Sequence, residues 1–263
     1  MTEQTDPTVS SVAITSATGI QNSLLNAGDV VNVKATFSES VIVDNASGTP
    51  TLTIVIGDAP GTVFSRTATY ASGSSSTALV FQYTIQSGDN DTNGISIGAN
   101  ALALNSGTIR DASGNYATIT HRTVDNNSSY MVDNTAPTLV DNVSITSATS
   151  PMGGWKDNLV PDHEISVTAT FSESVFVAGG PPTLAIKVPA DDNRTATFET
   201  GTDNSTTLVF KYTIVAADET DGQPGIIIVG NSLALNGGTI KDAAGNDATI
   251  ITHSLVTTDW EVK

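Results

Sequence analysis

The sequence predicts an all-β protein made of two copies of one module, and three observations carry this prediction. Short runs that alternate apolar and polar residues, such as Leu79–Ile85, are typical of half-buried strands. No window of a dozen residues carries an apolar stripe at helical spacing. The block Leu102–Asn115 returns almost letter for letter as Leu233–Asn246, 131 positions later. This period fits a domain with its own core, because solenoid repeats run about 20 to 50 residues.

Seven strands are predicted in the first module, each ending in turn residues. They lie near residues 9–17, 30–38, 50–56, 65–71, 77–86, 94–98 and 117–132, and the last of them can be broken. Seven short strands separated by turns indicate an antiparallel sandwich of immunoglobulin type. The predicted core or near-core positions are Phe37, Leu52, Phe81 and Tyr83, with their counterparts Phe171, Leu184, Phe210 and Tyr212.

The two modules are assigned to residues 1–134 and 135–263. Their connector, Val132–Thr138, contains Pro137, and proline biases the preceding residue toward extended structure. We therefore expect a stiff link and two modules arranged end to end. The chain stops at Trp260–Lys263, where the first module continues into its connector, so we expect it to be a piece of a longer protein.

Charge and composition exclude several classes of function. The formal net charge is −17, and acids outnumber bases in both modules, so neither nucleic acid nor an anionic membrane surface is an expected partner. No apolar run approaches the length of a membrane span. The chain has no cysteine, which excludes disulfides and thiolate metal sites. Divalent cations or basic partners are the natural counterparts of such a polyanion.

Loops of a sandwich alternate between two ends, the N-terminal pole, where the chain enters, and the C-terminal pole, where it leaves. A Phe-Ser-Glu turn and an Asp-x-x-Gly-Asn turn are both expected at the N-terminal pole, close to the acids of the connector. Converging carboxylates need a cation, and Ca²⁺ accepts about six to eight such oxygens, so Ca²⁺ is the predicted cofactor. The predicted ligands are Asp6, Glu39, Asp111 and Asn115 in the first module, and Asp133, Asn134, Glu173, Asp242 and Asn246 at the junction.

These residues also have a simpler interpretation. Asp and Asn side chains hydrogen-bond the local backbone and glycine supplies a positive φ, so the same residues shape turns without any ion. The recurrence of the acids in both modules is the observation that favours a metal.

A second candidate metal site is the loop Asp89–Gly94, with Asp89 and Asp91 as ligands, expected at the C-terminal pole. It fits the first half of an EF-hand loop, with oxygen-bearing residues at alternate positions and glycine at the turn. Its twelfth position is Asn100, where glutamate is required, and the second module has Asp218–Gly222 at a different spacing. A solvated acidic hairpin is the alternative.

Catalysis has little support in the sequence. No nucleophile elbow, phosphate loop or zinc-protease motif occurs. Of three histidines, His121 and His253 occupy equivalent places in the two modules, as strand residues would, and His163 is the third. Aromatic residues are scarce, and Trp155 and Trp260 are predicted to be packing residues. We expect a protein that is not an enzyme.

Three sequence blocks resemble a known family: Phe-Ser-Glu-Ser-Val, Leu-Ala-Leu-Asn-x-Gly-Thr-Ile-x-Asp-Ala-x-Gly-Asn and Asp-Asn-Thr-Ala-Pro-Thr. With them the chain resembles the bacterial immunoglobulin-like repeats of giant secreted surface adhesins, the RTX-type or biofilm-associated proteins. The resemblance covers both modules. It implies export by a type I system to the bacterial cell surface, and an extender that holds a ligand-binding tip away from the cell, often stiffened by calcium. The glycine-rich nonapeptide repeats of such adhesins are absent from this sequence.

The sequence thus predicts a non-enzymatic extender segment whose partners are neighbouring modules of the same polypeptide, without nucleic acid or membrane insertion. One alternative is a module that itself binds a carbohydrate, ice or a host protein through a face of exposed Thr, Asn or aromatic residues. Another is an accessory domain pair of a large secreted hydrolase. Flanking sequence distinguishes these hypotheses, since many similar modules favour an extender and a catalytic domain favours a hydrolase.

Overall fold

The structure is a computed structural model that describes residues 5–58, 63–140, 143–149, 158–188, 192–199, 204–218, 225–249, 253–257 and 261–262. The chain divides into two compact units, Met1–Thr135 and Ala136–Lys263. Across these described residues the regular structure is strand apart from one 3-10 turn, and no helix is long and apolar enough to span a membrane. The all-β prediction is confirmed, with antiparallel sheets in a sandwich-like or barrel-like arrangement.

The first unit has one large antiparallel sheet and one short parallel pair. Its strands are β1 (Val9–Thr18), β2 (Leu24–Leu25), β3 (Val30–Asp44), β4 (Thr51–Ile56), β5 (Phe64–Ser72), β6 (Ser76–Thr84), β7 (Leu102–Ala103), β8 (Thr108–Arg110) and β9 (Met131–Val132). The sheet order is β1-β3-β6-β5-β4-β7, and β8 pairs with the end of β3. Strands β2 and β9 form the parallel pair.

The second unit repeats this topology. Its elements are β10 (Ser144–Thr149), β11 (Asn158–Leu159), β12 (Glu164–Ala178), β13 (Thr183–Val188), β14 (Asp192–Phe198), β15 (Ser205–Thr213), the 3-10 turn Ala216–Asp218, β16 (Ile227–Ile228), β17 (Thr239–Lys241), β18 (Val256–Thr257) and β19 (Glu261–Val262). The order is β10-β12-β15-β14-β13-β16-β18, with β17 paired to β12. Strands β11 and β19 are again parallel.

The prediction of a turn at Phe-Ser-Glu is wrong, because both copies of this sequence lie inside a continuous strand, β3 or β12. Strand β3 pairs with β6 as far as Thr36, and then its register shifts, so that Val41 meets Ser76 and the strand continues against β8. Glu39 lies in this β-bulge, and Glu173 lies in the matching bulge of β12. A bulge re-aims side chains without ending the strand, so the chain changes direction there while remaining extended.

The core confirms the predicted pattern of alternation. Strands β4 and β13 alternate buried and half-buried residues along their whole length, so one face of each lies against the core. The predicted Phe and Leu positions are buried and the two tyrosines are half-buried against the core: Phe37, Leu52, Phe81, Phe171, Leu184 and Phe210, with Tyr83 and Tyr212. Each unit therefore has a hydrophobic core of its own.

The later strands of the first unit are shorter than predicted, and the last is broken, as the prediction allowed. Only isolated bridges form at Ser96 and Ile97, and the region 117–132 breaks into bridges followed by β9. Strands β7 and β8 were not predicted, because each is too short to show alternation. Trp155, Trp260 and most of Asp218–Gly222 lie outside the described residues.

Candidate metal centre

The Asp-x-x-Gly-Asn turn of the second unit begins where β17 ends. The Oδ1 of Asp242 accepts the backbone N–H of Asn246 at 2.8 Å, and its Oδ2 accepts the side-chain amide of the same residue at 2.7 Å. Gly245 has a positive φ of 93°, a conformation that glycine adopts without strain. Asp242 is buried, yet both donors are neutral, so they leave the formal charge of its carboxylate uncompensated.

The turn of the first unit has the same geometry. The Oδ1 of Asp111 accepts the backbone N–H groups of Ser113 and Asn115, and its Oδ2 accepts the Asn115 amide, each at 2.8 Å. Burial alone would raise the pKa of Asp111, but the hydrogen bonds from Asn115, Ser113 and Gly114 outweigh burial and lower it. The turn therefore favours the charged carboxylate. These bonds also show that Asp and Asn shape the turn, as the simpler interpretation expects.

The strand bulge places Glu173 beside this turn. Two hydrogen bonds attach the first residues of the second unit to this bulge. The N–H of Thr138 donates to Ser172 Oγ at 3.1 Å, and the N–H of Ser172 donates to the Thr138 carbonyl at 2.8 Å. Carboxylate oxygens of Glu173 and Asp242 lie within 4.8 Å of each other. The predicted convergence of these two acids is thus present within the second unit.

Two carboxylates at this spacing repel each other. Two unit charges about 4 Å apart cost about 1 kcal/mol in bulk water and several times more at a partly buried site. A cation between them would turn this repulsion into attraction, and oxygen ligands suit Ca²⁺.

The first unit contains the same pair of hydrogen bonds between its first residues and the bulge of β3. The N–H of Thr8 donates to Ser38 Oγ at 3.0 Å, and the N–H of Ser38 donates to the Thr8 carbonyl at 2.8 Å. Glu39 follows in the bulge and is half-buried, and Asp6 is exposed just before this contact. A metal role for Asp6, Glu39, Asp111 and Asn115 stays a prediction.

The connector residues Asp133 and Asn134 belong to the first unit and contact its C-terminal pole. The N–H of Asp133 donates to the Leu25 carbonyl at 2.9 Å, which extends the β2–β9 pairing. The side-chain oxygen of Asn134 accepts the N–H of Ala27 at 2.6 Å, and its amide donates to the Asp89 carbonyl at 2.5 Å. Asn134 therefore holds the connector against two loops of this pole, and its metal role stays a prediction.

Asp89 belongs to a buried hydrogen-bond network, so its carboxylate is not an exposed loop group that is open to a metal ion. Its Oδ1 accepts Arg66 Nε at 2.6 Å, and its Oδ2 accepts the hydroxyl of Tyr83 at 2.7 Å and the N–H of Gln86 at 2.9 Å. The carboxylate of Asp89 is fully buried. Burial and the hydrogen bond to Asp89 raise the pKa of Tyr83. The guanidinium charge compensates the carboxylate, as buried charges require.

The second unit contains the same network. Arg194 Nε lies 2.6 Å from Asp218 Oδ1, and the Tyr212 hydroxyl donates to Asp218 Oδ2 at 2.6 Å. The N–H of Val215 donates to the same oxygen at 2.9 Å. Burial and the hydrogen bond to Asp218 raise the pKa of Tyr212 to about 12. The duplicated network ties two strands to the loop at the C-terminal pole of each unit.

Asp91 is also held by protein donors. Its Oδ2 accepts the N–H of Gly57 at 2.9 Å, and its Oδ1 accepts the N–H of Gly94 at 2.6 Å. Burial raises the pKa of Asp91, and the nearby charge of Asp58 adds to this effect. Calcium binding by Asp89 and Asp91 would require their donors to be displaced, so the EF-hand hypothesis for Asp89–Gly94 stays without structural support.

The equivalent histidines act as local clamps. His121 Nε2 accepts the N–H of Ala101 at 2.8 Å, and its Nδ1 lies 2.7 Å from the Arg122 carbonyl, so Nδ1 carries the proton and donates. His253 Nε2 accepts the N–H of Ser232 at 3.0 Å in the same way. Both rings join the segment after the Asp-x-x-Gly-Asn turn to the residue just before the repeated Leu-Ala-Leu-Asn sequence.

Sequence reasoning missed the Arg–Asp–Tyr network, although its signal is present in the chain. Arg66-Thr-Ala-Thr and Tyr83 both recur as Arg194-Thr-Ala-Thr and Tyr212. A repeated arginine on one strand and a repeated tyrosine on the next, with an acid after the tyrosine, indicate a contact that occurs within each copy. The spacing to the acid is six residues in both units, from Tyr83 to Asp89 and from Tyr212 to Asp218.

A comparison with known protein families finds no family model that matches the chain, and a comparison with curated proteins finds no match either. Functional inference therefore rests on the residues that the two units share. Among these are two pairs of equivalent acids with different surroundings: the arginine-paired Asp89 and Asp218, and the amide-bound Asp111 and Asp242.

Proposed function

We propose that the chain is a non-enzymatic extender segment of a large secreted bacterial surface adhesin. Each unit is an immunoglobulin-like module, the modules lie end to end outside the cell, and Ca²⁺ at their N-terminal poles stiffens the array. The observation that carries this proposal is the approach of Glu173 and Asp242 within 4.8 Å, at the place where the chain enters the second unit. The resemblance to adhesin repeats supports the cellular location.

The proposed Ca²⁺ ligands come from the N-terminal pole of the second unit and from the connector. Asp242 accepts two neutral donors from Asn246 and forms no ion pair with the residues that the structure describes, so its formal charge is available to a cation. Glu173 adds a second carboxylate, and Asp133 of the connector supplies a third. A cation that binds connector and pole together fixes the angle between modules, which is what an extender requires. Glu39, Asp111 and Asp6 would bind Ca²⁺ in the same way before the first unit.

Calcium then acts through mass action on the folded array. Free Ca²⁺ at about a hundred times its dissociation constant adds roughly 2.7 kcal/mol of stability per site. That is a large part of a domain stability of about 5 to 15 kcal/mol. Removal of Ca²⁺ leaves the cores folded and releases the connector.

Calorimetric Ca²⁺ titration, thermal unfolding and small-angle scattering test this proposal. We expect bound Ca²⁺, a higher melting temperature in millimolar Ca²⁺ than in chelator, and a longer particle with calcium. The double variant Asp242→Asn with Glu173→Gln removes both carboxylates and should lose the junction site. Asp247→Asn is the matched control, since Asp247 is exposed and pairs with Lys241 nearby. Identical melting and scattering curves with and without Ca²⁺ would contradict calcium stiffening.

A further inference from the structure

A groove runs along the open edge of the large sheet in the first unit. Strand β1 ends the sheet order, and its first residue pairs with neighbouring chain, the N–H of Val9 donating to the Thr118 carbonyl at 3.2 Å. Beyond this contact β1 and the segment 120–124 separate. The space between them, the edge groove, has a volume of about 480 Å³ and is lined by Val9–Val12, Asn100 and Thr120–Val124.

One wall of the edge groove is the outer edge of β1, which is not paired with another strand. No backbone hydrogen bond in the described part of the first unit joins β1 to segment 120–124. Two register shifts interrupt β1, and the stretch Ser11–Ile14 between them is regular. Charges and prolines are common protections of an edge strand, yet Pro7–Gly28 contains no charged residue and β1 contains no proline, so the stretch between the two bulges lacks both. This stretch can therefore accept another strand.

The other wall is held away from β1. Segment 120–124 pairs on its far side with 97–101, through the N–H of Asn100 to the His121 carbonyl at 3.1 Å and the N–H of Val124 to the Ile97 carbonyl at 2.8 Å. The imidazole of His121 adds its bond from Ala101. These contacts prevent the wall from closing onto β1, so the groove is a built feature of the unit.

Charge identifies the kind of strand that fits. Arg122 is exposed, and it is the only formally charged residue of the lining. It forms no ion pair with any described residue, and the lining contains no carboxylate. Screening over about 8 Å at physiological salt limits repulsion from the rest of the acidic chain. Ser254 stands at the equivalent place in the second unit, since both residues follow the clamp histidine.

We propose that the edge groove binds an extended acidic peptide, which adds as a strand to the Ser11–Ile14 edge of β1 and pairs a carboxylate with Arg122. Main-chain hydrogen bonds supply the affinity in this mode of recognition, and side chains supply the selectivity. The proposal is independent of calcium at the N-terminal poles.

Peptide binding to the full chain tests the proposal, with NMR amide shifts and hydrogen exchange as readouts. The probe is an acetylated, amidated heptapeptide that alternates valine with glutamate. Its controls are a lysine analogue and an analogue N-methylated along one edge. We expect the glutamate probe to shift and protect amides of Ser11–Ile14, and N-methylation on the pairing edge to abolish this.

Arg122→Ser reproduces the residue of the second unit and tests selectivity. An exposed ion pair contributes about 0.2 to 1 kcal/mol, so the variant should bind the glutamate probe about 1.4- to fivefold more weakly. Arg110→Ser removes the same charge outside the groove and should leave binding unchanged. The proposal is overturned if the glutamate probe does not bind, if N-methylation has no effect, if shifts map away from β1, or if the lysine probe binds equally well.

Discussion

Asp218 and Asp242 are both buried carboxylates of the second unit, and they differ in what compensates their charge. Asp218 lies against a guanidinium, with Arg194 Nε at 2.6 Å and the Tyr212 hydroxyl at 2.6 Å. Asp242 accepts the backbone N–H and the side-chain amide of Asn246, which are both neutral, and a second carboxylate, Glu173, lies within 4.8 Å. In the first unit Asp89 is likewise paired with Arg66, whereas Asp111 accepts neutral N–H groups of Ser113 and Asn115.

The difference shows how two similar acids can have different functions. A carboxylate paired with arginine is electrically satisfied, and its removal exposes an uncompensated buried cation. A carboxylate held by amides is fixed in place but keeps its charge, so it can bind a cation from solution. Burial alone does not distinguish these cases, and the charge of the partner does.

The largest effect is expected from breaking the arginine-paired network. Asp218→Asn removes the carboxylate charge that pairs with Arg194 and should destabilise the second unit by about 2 to 4 kcal/mol, slightly below the range for a fully buried pair. The discount follows from the Arg194 side chain, which keeps 22% exposure. Urea unfolding followed by tryptophan fluorescence measures this, because both tryptophans belong to the second unit.

The matched variants sharpen the comparison. Asp89→Asn breaks the equivalent network of the first unit and should leave the tryptophan signal unchanged. Asp247→Asn removes an exposed acid and should change stability by less than about 0.5 kcal/mol. A loss for Asp218→Asn no larger than that of Asp247→Asn would show that the arginine pairing contributes little to stability.

Sequence reasoning reached the fold class and much of the candidate site, for reasons that particular residues illustrate. Strand alternation in β4 reports burial of one face, so Leu52 and its neighbours were predictable. The bulge at Glu39 was not, because a Phe-Ser-Glu sequence carries no signal that separates a turn from a strand that shifts register. The pairing of Asp89 with Arg66 was not predictable either, because Arg66 lies 23 positions earlier and only the pairing of strands brings the two side chains together.

A smaller effect is expected from the side chain that closes the turn. Asn246→Ala removes the amide bond to Asp242 Oδ2, which contributes about 1.5 to 3 kcal/mol to the second unit as a hydrogen bond to a charged group. It should also weaken any Ca²⁺ binding, because the carboxylate is then less well fixed. Urea unfolding in chelator and in Ca²⁺ separates the two effects. Equal stability of variant and wild type in chelator would argue against a clamping role for Asn246.

The smallest effect is a change in pH dependence from Tyr212. Its folded pKa of about 12 exceeds the unfolded value of 10.0, so the protonated form stabilises the fold. That contribution is complete below pH 10 and is lost as pH rises from about 10 toward 12, where the unfolded chain releases its proton first. Tyr212→Phe should cost about 1 kcal/mol at neutral pH.

The stability advantage of wild type over Tyr212→Phe should then shrink above pH 10, as followed by tryptophan fluorescence in urea. Titrating lysines affect both proteins alike and cancel in the difference. The exposed Tyr116, in the first unit, provides the control, since Tyr116→Phe should leave the alkaline profile of the second unit unchanged. A constant difference between wild type and Tyr212→Phe from pH 8 to pH 11 would mean that the tyrosine adds no proton-linked stability to the arginine-paired network.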